Sequence, residues 1–288
     1  MMKISIITSI YKGEKYIDNL IKMIESNYVL LQDNSVNCSL EYIIVNDYPS
    51  QKINFSQYTS HFFKILSITN STNRGVHASR IEALKKSSGE YILFLDQDDI
   101  ITSNYLLSQI KFIKNADIVL SNGYQVYSDI NKKNIYNSIN IQKKVPQLKS
   151  FQLRSPIVSP GQCLIKKKII PQEWYNFILQ NNGADDYFLW LLLLKKKARF
   201  QINPDYLFFH MISDNNFSNN DEKMKISCLE VIQYFQNNGY FPIELKRAKR
   251  AFEAKIGKHY SMKCSLKYSL LYPDVFCRLL YKKIKKEL

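Results

Sequence analysis

An apolar, strand-like run, Gly89-Glu90-Tyr91-Ile92-Leu93-Phe94-Leu95, stops abruptly at Asp96-Gln97-Asp98-Asp99, so three carboxylates fall within four residues. Open α/β sheets bind their ligands at the carboxyl ends of their strands. Acids delivered to such an edge repel one another unless a cation compensates them. Oxygen ligands grouped this way suit a hard divalent ion, Mg²⁺ or Mn²⁺, shared with a phosphate. The same residues also fit a solvated acidic turn that opens a helix, with Thr102 or Ser103 as its cap.

Periodicity around this segment is that of an α/β chain. Apolar, β-branched runs at Lys3–Ile10, Glu41–Asn46, Phe62–Ile68 and Tyr91–Leu95 read as strands. Helical spacing follows the first at Glu14–Tyr28 and precedes the last at Gly75–Ser88, with Gly89 as its terminating glycine. This alternation implies a Rossmann-like, mostly parallel sheet flanked by helices. Further on, Ile118–Leu120, Tyr124–Tyr127, Gln162–Ile165 and Phe200–Met211 read as extended, Asn131–Asn140 as a loop or exposed hairpin, and Asp185–Lys197 as a helix. Beyond Asp221 the pattern is helical, which divides the chain into a domain at 1–220, with halves 1–120 and 121–220, and a basic extension at 221–288.

The 288 residues suffice for one large domain with a core, and 45% hydrophobic content excludes a disordered chain. Five scattered cysteines with no paired spacing read as reduced thiols, neither zinc-binding nor disulfide-bonded. The longest apolar stretch, Phe188–Leu194, is too short to span a bilayer. No leader is legible at the N-terminus, so the expected location is the cytoplasm. The net charge of +15 is concentrated from Glu244 onward, where 13 Lys/Arg stand against 4 Asp/Glu. In Phe276–Lys286 aromatic and apolar residues alternate with lysines at helical spacing, as in a helix lying peripherally on the inner face of the cell membrane. A solvated helical face would look the same.

Four segments in order, with two later ones, make residues 3–218 similar to family 2 of the glycosyltransferases, which has the GT-A fold. The opening strand and turn, Ile4-Ser5-Ile6-Ile7-Thr8-Ser9-Ile10-Tyr11-Lys12-Gly13-Glu14, resembles the family's nucleotide-pocket strand. That resemblance places Thr8, Ser9, Tyr11 and Glu14 beside the base, although Ser9 stands where proline is common. Glu41-Tyr42-Ile43-Ile44-Val45-Asn46-Asp47 is similar to the second strand, which makes Asp47 the acceptor of a base N–H, with Asn46 in place of a frequent Asp. Asn73-Arg74-Gly75-Val76-His77-Ala78-Ser79-Arg80 resembles an N-x-G-x-x-x-x-R pattern, and Arg74 and Arg80 are the candidates to serve the nucleotide or brace the acids. His77 reads as a packing residue.

Asp96-Gln97-Asp98 resembles the family's D-x-D motif. The resemblance implies that Asp96 and Gln97 meet the donor and that Asp98 ligates Mg²⁺ or Mn²⁺ bridging a diphosphate. Asn182-Gly183-Ala184-Asp185-Asp186-Tyr187-Phe188-Leu189-Trp190 looks like the family's acidic helix start. Asp186 takes the place of the catalytic base, Asp185 replaces the usual Glu, and Trp190 is either a sugar-stacking surface or core. Both acids could instead simply cap the helix. Tyr206–Ser218 resembles the segment in which a histidine helps the metal. Aligned from Asn216 and Ser218 the common position falls on Ser213, with His210 three residues earlier as the candidate. Ser159-Pro160-Gly161-Gln162-Cys163 is expected to form a loop near the donor sugar, its glycine permitting close approach.

The activity implied is inverting transfer from a nucleotide sugar, a UDP-sugar first, to a glycan or lipid-linked acceptor. A nucleotidyltransferase should carry a Gly-rich loop after the first strand, which Gly13 alone does not make. A nucleic-acid binder would present its acids to phosphate and lacks a recognition motif, so nucleic acid is not an expected partner. A sugar-nucleotide-binding protein without turnover is the remaining alternative, given Asn46 and Asp185.

Overall fold

The computed structural model describes residues 1–128, 130–152, 154–212 and 221–257, with residues 270, 273 and 277. Ser213, Asn216 and Ser218, and all of the Phe276–Lys286 tail except Cys277, lie outside them. The elements in chain order are β1 (Met2–Ile10), α1 (Ile17–Asp33), β2 (Cys38–Asn46), β3 (Lys64–Thr69), α2 (Gly75–Lys86), β4 (Tyr91–Phe94), β5 (Ile100–Ile101), α3 (Tyr105–Ile113), β6 (Ile118–Ser128), β7 (Asn131–Asn134), α4 (Ile139–Gln142), β8 (Cys163–Lys166), α5 (Gln172–Asn176), α6 (Asp185–Lys195), β9 (Phe200–Met211), α7 (Asp221–Asn237) and α8 (Ile243–Gly257).

The chain divides into two compact units, of which the first comprises Met1–Pro146, Ile157–Ile178 and Leu189–Asn215. Its sheet runs β3-β2-β1-β4-β8-β6-β9-β5, with β7 on the outer part of β6. The first four strands are parallel neighbours. β8 is antiparallel to both β4 and β6, and β6 is parallel to β9. Because β1, β2 and β4 are covered on both faces, their sequences are continuous apolar runs. Register sets Ile10 opposite Asn46 and Ile7 opposite Phe94, so Tyr11, Asp47 and Asp96 leave the sheet along one edge.

Helix α1 buries Ile17, Leu20, Ile21, Ile24 and Leu31 at three- and four-residue spacing, with Asn27 in the same stripe. That asparagine donates to Met23 O (3.0 Å) and Thr102 O (2.9 Å) and accepts from Leu106 N (2.9 Å). A buried amide with three partners carries little desolvation cost, and this one anchors the chain just beyond the acids to the first helix.

Several boundaries depart from the sequence reading. The two expected strands at 118–127 are one strand, β6, paired with the exposed β7. Helix α2 ends at Lys86, and Gly89 does not terminate it: Ser87, already extended at φ −71°, ψ 144°, is the capping residue. Gly89 is required for close approach instead. A Cβ there would lie 2.4 Å from Ser5 Oγ and 2.6 Å from Ser5 N. Glu41 fastens the same corner, its carboxylate accepting from Ser5 Oγ, Ser88 N and Ser88 Oγ, each at 2.6 Å, with Lys3 Nζ at 3.2 Å.

The second unit comprises Gln147–Pro156, Leu179–Phe188 and Asn216–Leu288, so its limits do not follow a single cut near residue 220. Its apolar centre joins Phe188 to Tyr234 and Phe235, with centroids at 4.9 and 5.9 Å, and Tyr187 to Phe252 at 6.1 Å. Tyr187 also donates to Phe151 O at 3.0 Å. Helix α6 starts here and its residues from Leu189 belong to the first unit.

Two predictions follow from the corner at Gly89. Gly89→Ala should cost about 2 kcal/mol, because the new Cβ also meets the Ser5 backbone nitrogen, which cannot swing away as the hydroxyl can; urea denaturation reads it directly. Burial alone would raise the Glu41 carboxyl, but its hydrogen bonds from Ser5 and Ser88 and from Lys3 reverse this and hold it at about 2, against an ordinary 4.5. A carboxyl depressed by folding stabilises above its unfolded value and loses that contribution as the pH falls through the folded one. Glu41→Gln should therefore be less stable at neutral pH, by on the order of 2 kcal/mol. Its deficit against the unsubstituted protein should shrink between pH 4.5 and about 2. A deficit that does not vary with pH would contradict this.

Candidate active site at the end of β4

The acids that follow β4 are wired into a single hydrogen-bonded chain within the first unit. Arg80 lies on the buried side of α2, its guanidinium donating to Asp96 Oδ1 and stacked 5.8 Å from the centroid of Phe94. Ser159 Oγ sits between two carboxylates, 2.7 Å from Asp99 Oδ2 and 3.2 Å from Asp96 Oδ2. Asp99, wholly buried, meets His210 Nδ1 at 2.8 Å through Oδ1, which also accepts from Met211 N at 3.3 Å. Thus β4, β9, α2 and the Ser159 loop each contribute one link. The loop is held by Gln162, which accepts from Val158 N (2.9 Å) and donates to Ser121 O (3.2 Å). Gly161, expected to approach a ligand, approaches protein: a Cβ there would lie 2.7 Å from Phe208 Cε2.

Asp98 differs from its neighbours. It is half-buried, and no other residue's N–H or O–H bonds its carboxylate among the described residues. Burial, then the charges of Asp99 and Asp96, raise its carboxyl from 3.8 to about 6. For His210 burial favours the neutral ring. The Asp99 hydrogen bond and the charges of Asp99, Asp96 and Asp98 outweigh burial and push its pKa above the ordinary 6.5. A histidine whose one nitrogen is fixed by a carboxylate presents the other to a metal in a set orientation. Among the described residues no three His, Cys, Asp or Glu side chains form a complete metal cage. Mg²⁺ and Mn²⁺ on phosphate substrates need only one or two protein ligands, and Asp98 with His210 Nε2 would supply them. The donor set fits such an ion.

The expected nucleotide residues line the same sheet edge, with unequal fates. Tyr11, 46% exposed, stands edge-on to Tyr48 at 5.0 Å, and Lys12 Nζ lies 5.1 Å from the Tyr48 centroid. Gln97 is committed to Tyr11, accepting from its backbone N–H at 2.9 Å and donating to its carbonyl at 3.4 Å. Glu14 accepts from Gln51 Nε2 at 2.8 Å, and Ser9 is half-buried. Thr8 is wholly buried and exposes no surface to a ligand, which corrects its assignment to the pocket wall. Asp47, expected to receive a base N–H, spends both oxygens on the start of α2. It accepts from Asn70 Nδ2 and from the backbone N–H groups of Arg74 and Gly75, all at 2.8 Å. This carboxylate at a helix start fixes the helix that carries Arg80. The Arg74 side chain is exposed, with no partner among the described residues.

Asp185 and Asp186 occupy the first turn of α6 in the second unit, Asp185 buried and Asp186 half-buried. The preceding turn is secured by Ser227 Oγ, which accepts from Ala184 N at 3.1 Å and donates to Asn181 O at 2.6 Å. Trp190 is core: it is wholly buried, with no acceptor for its Nε1 among the described residues, so it offers no sugar-stacking face.

Sequence reasoning missed Ser159 as the bridge between two acids, Asp99 as the partner of His210, and Tyr48 beside Tyr11. Only Tyr48 carried a local signal, an aromatic directly after Asp47. The others depend on pairings between residues 60 and 111 positions apart.

A mixed sheet with an acidic strand end beside an aromatic, cation-rimmed edge defines an α/β protein whose candidate site lies at the carboxyl ends of its strands. The chain matches the Glycosyl transferase family 2 profile over residues 5–174, and it belongs to that family. It is a glycosyltransferase of GT-A architecture, which sets aside the nucleotidyltransferase and nucleic-acid readings. Over 228 residues it is 26% identical to the UDP-Glc:α-D-GlcNAc-diphosphoundecaprenol β-1,3-glucosyltransferase WfgD of Escherichia coli, covering 76% of this chain and 86% of that one. Among solved structures it is similar to TarS 1–349 of S. aureus in complex with UDP-GlcNAc, with TM-score 0.63 and 18% identity, covering 91% of this chain and 73% of that one. It is also similar to the mannosyltransferase PcManGT of Pyrobaculum calidifontis in complex with GDP-Man and Mn²⁺, with TM-score 0.60 and 13% identity, covering 99% and 80%. No helix among the described residues is long and apolar enough to cross a membrane, and Cys38, Cys163, Cys228 and Cys277 are free thiols.

Arg80→Met should destabilise the protein by about 3 kcal/mol, because it leaves Asp96 unpaired beside two further acids. Adding Asp96→Asn to it should recover part of that loss. Equal stability of Arg80→Met and the unsubstituted protein in denaturant melts would show that the pair carries nothing.

Proposed function

We propose that this chain is an inverting, metal-dependent glycosyltransferase that takes a sugar from a nucleoside diphosphate, a UDP-sugar first, to a hydroxyl of a glycan or lipid-linked acceptor. The observation that carries the reading is the uncommitted Asp98 carboxylate beside an oriented His210, at the edge where Tyr11 and Tyr48 offer a base its aromatic wall. Donors of this class are bound by the fold neighbours in complex with UDP-GlcNAc and GDP-Man. The lipid-linked acceptor of the Escherichia coli relative supports the acceptor class.

Each residue then has one task. Tyr11 and Tyr48 stack on or against the base, and Ser9 and Glu14 line its rim. Arg74, an unengaged guanidinium, meets the diphosphate bidentately. Asp98 and His210 Nε2 would hold a divalent ion, whose charge would stabilise the departing diphosphate. Arg80, Ser159 and Asp99 position those two groups without touching the donor. Asp186, supported by Asp185, removes the proton of the acceptor hydroxyl. The acceptor oxygen attacks the anomeric carbon from the face opposite the leaving group, and the bond from that carbon to the diphosphate oxygen breaks. The nucleoside diphosphate leaves and the anomeric configuration inverts.

Asp98→Asn should lower metal-dependent UDP affinity at least tenfold in calorimetry, whereas Asp186→Asn should keep that affinity and cut kcat by 10²-fold or more, the usual weight of a general base. Transfer surviving in Asp186→Asn at near-normal rate would remove the base assignment. Metal-dependent binding of UDP with no transfer from any nucleotide sugar would identify a binding protein without turnover.

A further inference from the structure

The sheet does not end at His210. Across β9, β6 and β7 the register is continuous: His210 lies opposite Gln125, and Gln125 opposite Lys133. Residues paired in register project from the same face of a sheet, and successive residues along a strand project from opposite faces. Gln125 and Lys133 therefore share the face of His210; Tyr127 sits where the β6–β7 register shifts, and its contact with Lys133 sets its ring beside them. The ring contacts agree. Lys133 Nζ lies 5.4 Å from the Tyr127 centroid, whereas Lys132 Nζ is 4.6 Å from Tyr124, which stacks on Phe209 at 5.4 Å on the opposite face. Neighbouring strands are spaced at about 4.8 Å, so Lys133 stands about 10 Å from His210 along this row.

The chemistry of the row is specific. Lys133 is exposed and has no carboxylate within ion-pair distance among the described residues. Gln125 is half-buried, with its amide unbonded among them. Tyr127 is 44% exposed. A cation, an amide and an aromatic ring, in line with the histidine of the metal site, make a track for a ligand carrying both a sugar ring and an anionic group. Lys133, its cation, stands two strands from His210. We propose that Gln125, Tyr127 and Lys133 bind the acceptor, and that this acceptor carries phosphate, whose charge Lys133 meets. The inference rests on the transferase reading for the word acceptor; the phosphate-binding row itself does not.

The test uses the full chain and two soluble probes, a short-chain alkyl diphosphate sugar and the matching alkyl glycoside without phosphate, with Kd measured by calorimetry. Lys133→Glu should weaken the diphosphate probe about tenfold relative to the glycoside and leave the Kd of UDP with Mn²⁺ unchanged. Lys133→Arg should retain binding. Lys132→Glu, with the same charge change on the opposite face, should leave both probes within twofold. Equal weakening by Lys132→Glu and Lys133→Glu would show a diffuse surface attraction and overturn the proposal, as would unchanged binding in Lys133→Glu. Loss of binding to phosphatidylglycerol vesicles in Lys133→Glu with the soluble probe retained would make the face a membrane contact instead, which also overturns it. Absence of sugar transfer by the unsubstituted protein would strike the transferase reading alone, because the probe ratios are read from binding.

Discussion

Three carboxylates gathered at the end of one buried strand are the constraint on which the rest of this molecule turns. Left uncompensated they would oppose folding, since burying like charges together costs several kcal/mol. The chain engages two of them with side chains and leaves the third. Arg80 takes Asp96, His210 and Ser159 take Asp99, and Asp98 is left with raised proton affinity and no partner side chain among the described residues. The division leaves one carboxylate of raised proton affinity at the strand end, the group proposed to take a cation. It also explains why elements distant in sequence must be placed accurately: α2 is pinned by Asp47, the Ser159 loop by Gln162, and the exit from the acidic turn by Asn27.

Much of the framework is visible in the sequence because parallel strands buried on both faces leave continuous apolar runs that need no tertiary knowledge to recognise. β1, β2, β4 and the amphipathic α1 fall into this class, and so does the acidic terminus of β4. The antiparallel half is less legible. β6 carries Ser121, Asn122 and Gly123 across its middle, buried where the register with β9 shifts and bonded to Gln162 and Tyr136, so it reads as two strands. Gly89 has the same letter whether it caps a helix or lets two strands approach, and only the position of Ser5 decides between them.

Within the site the limit was of another kind. Residue type identifies groups capable of a task, and burial decides whether they are available for it. Thr8 and Trp190 have suitable chemistry but no exposed surface, and Asp47 is consumed by backbone N–H groups that any chain entering α2 at that point must satisfy. Ser159 gave no local sign of its role, since a serine before Pro-Gly reads as a turn residue. Its function arises from two carboxylates that approach it from another part of the chain. His210 was legible only as one alternative, and its hydrogen bond to Asp99 is what distinguishes it.

The most direct measurement is anomalous diffraction at the manganese edge from crystals soaked with Mn²⁺ and UDP. A single strong peak bonded to an Asp98 oxygen and to His210 Nε2, and to oxygens of the diphosphate, with Asp96 and Asp99 still engaged by Arg80 and Ser159, is the predicted result. Ordered UDP with its diphosphate against Arg74 and no metal peak at Asp98, or a peak held by Asp96 after release of Arg80, would contradict it.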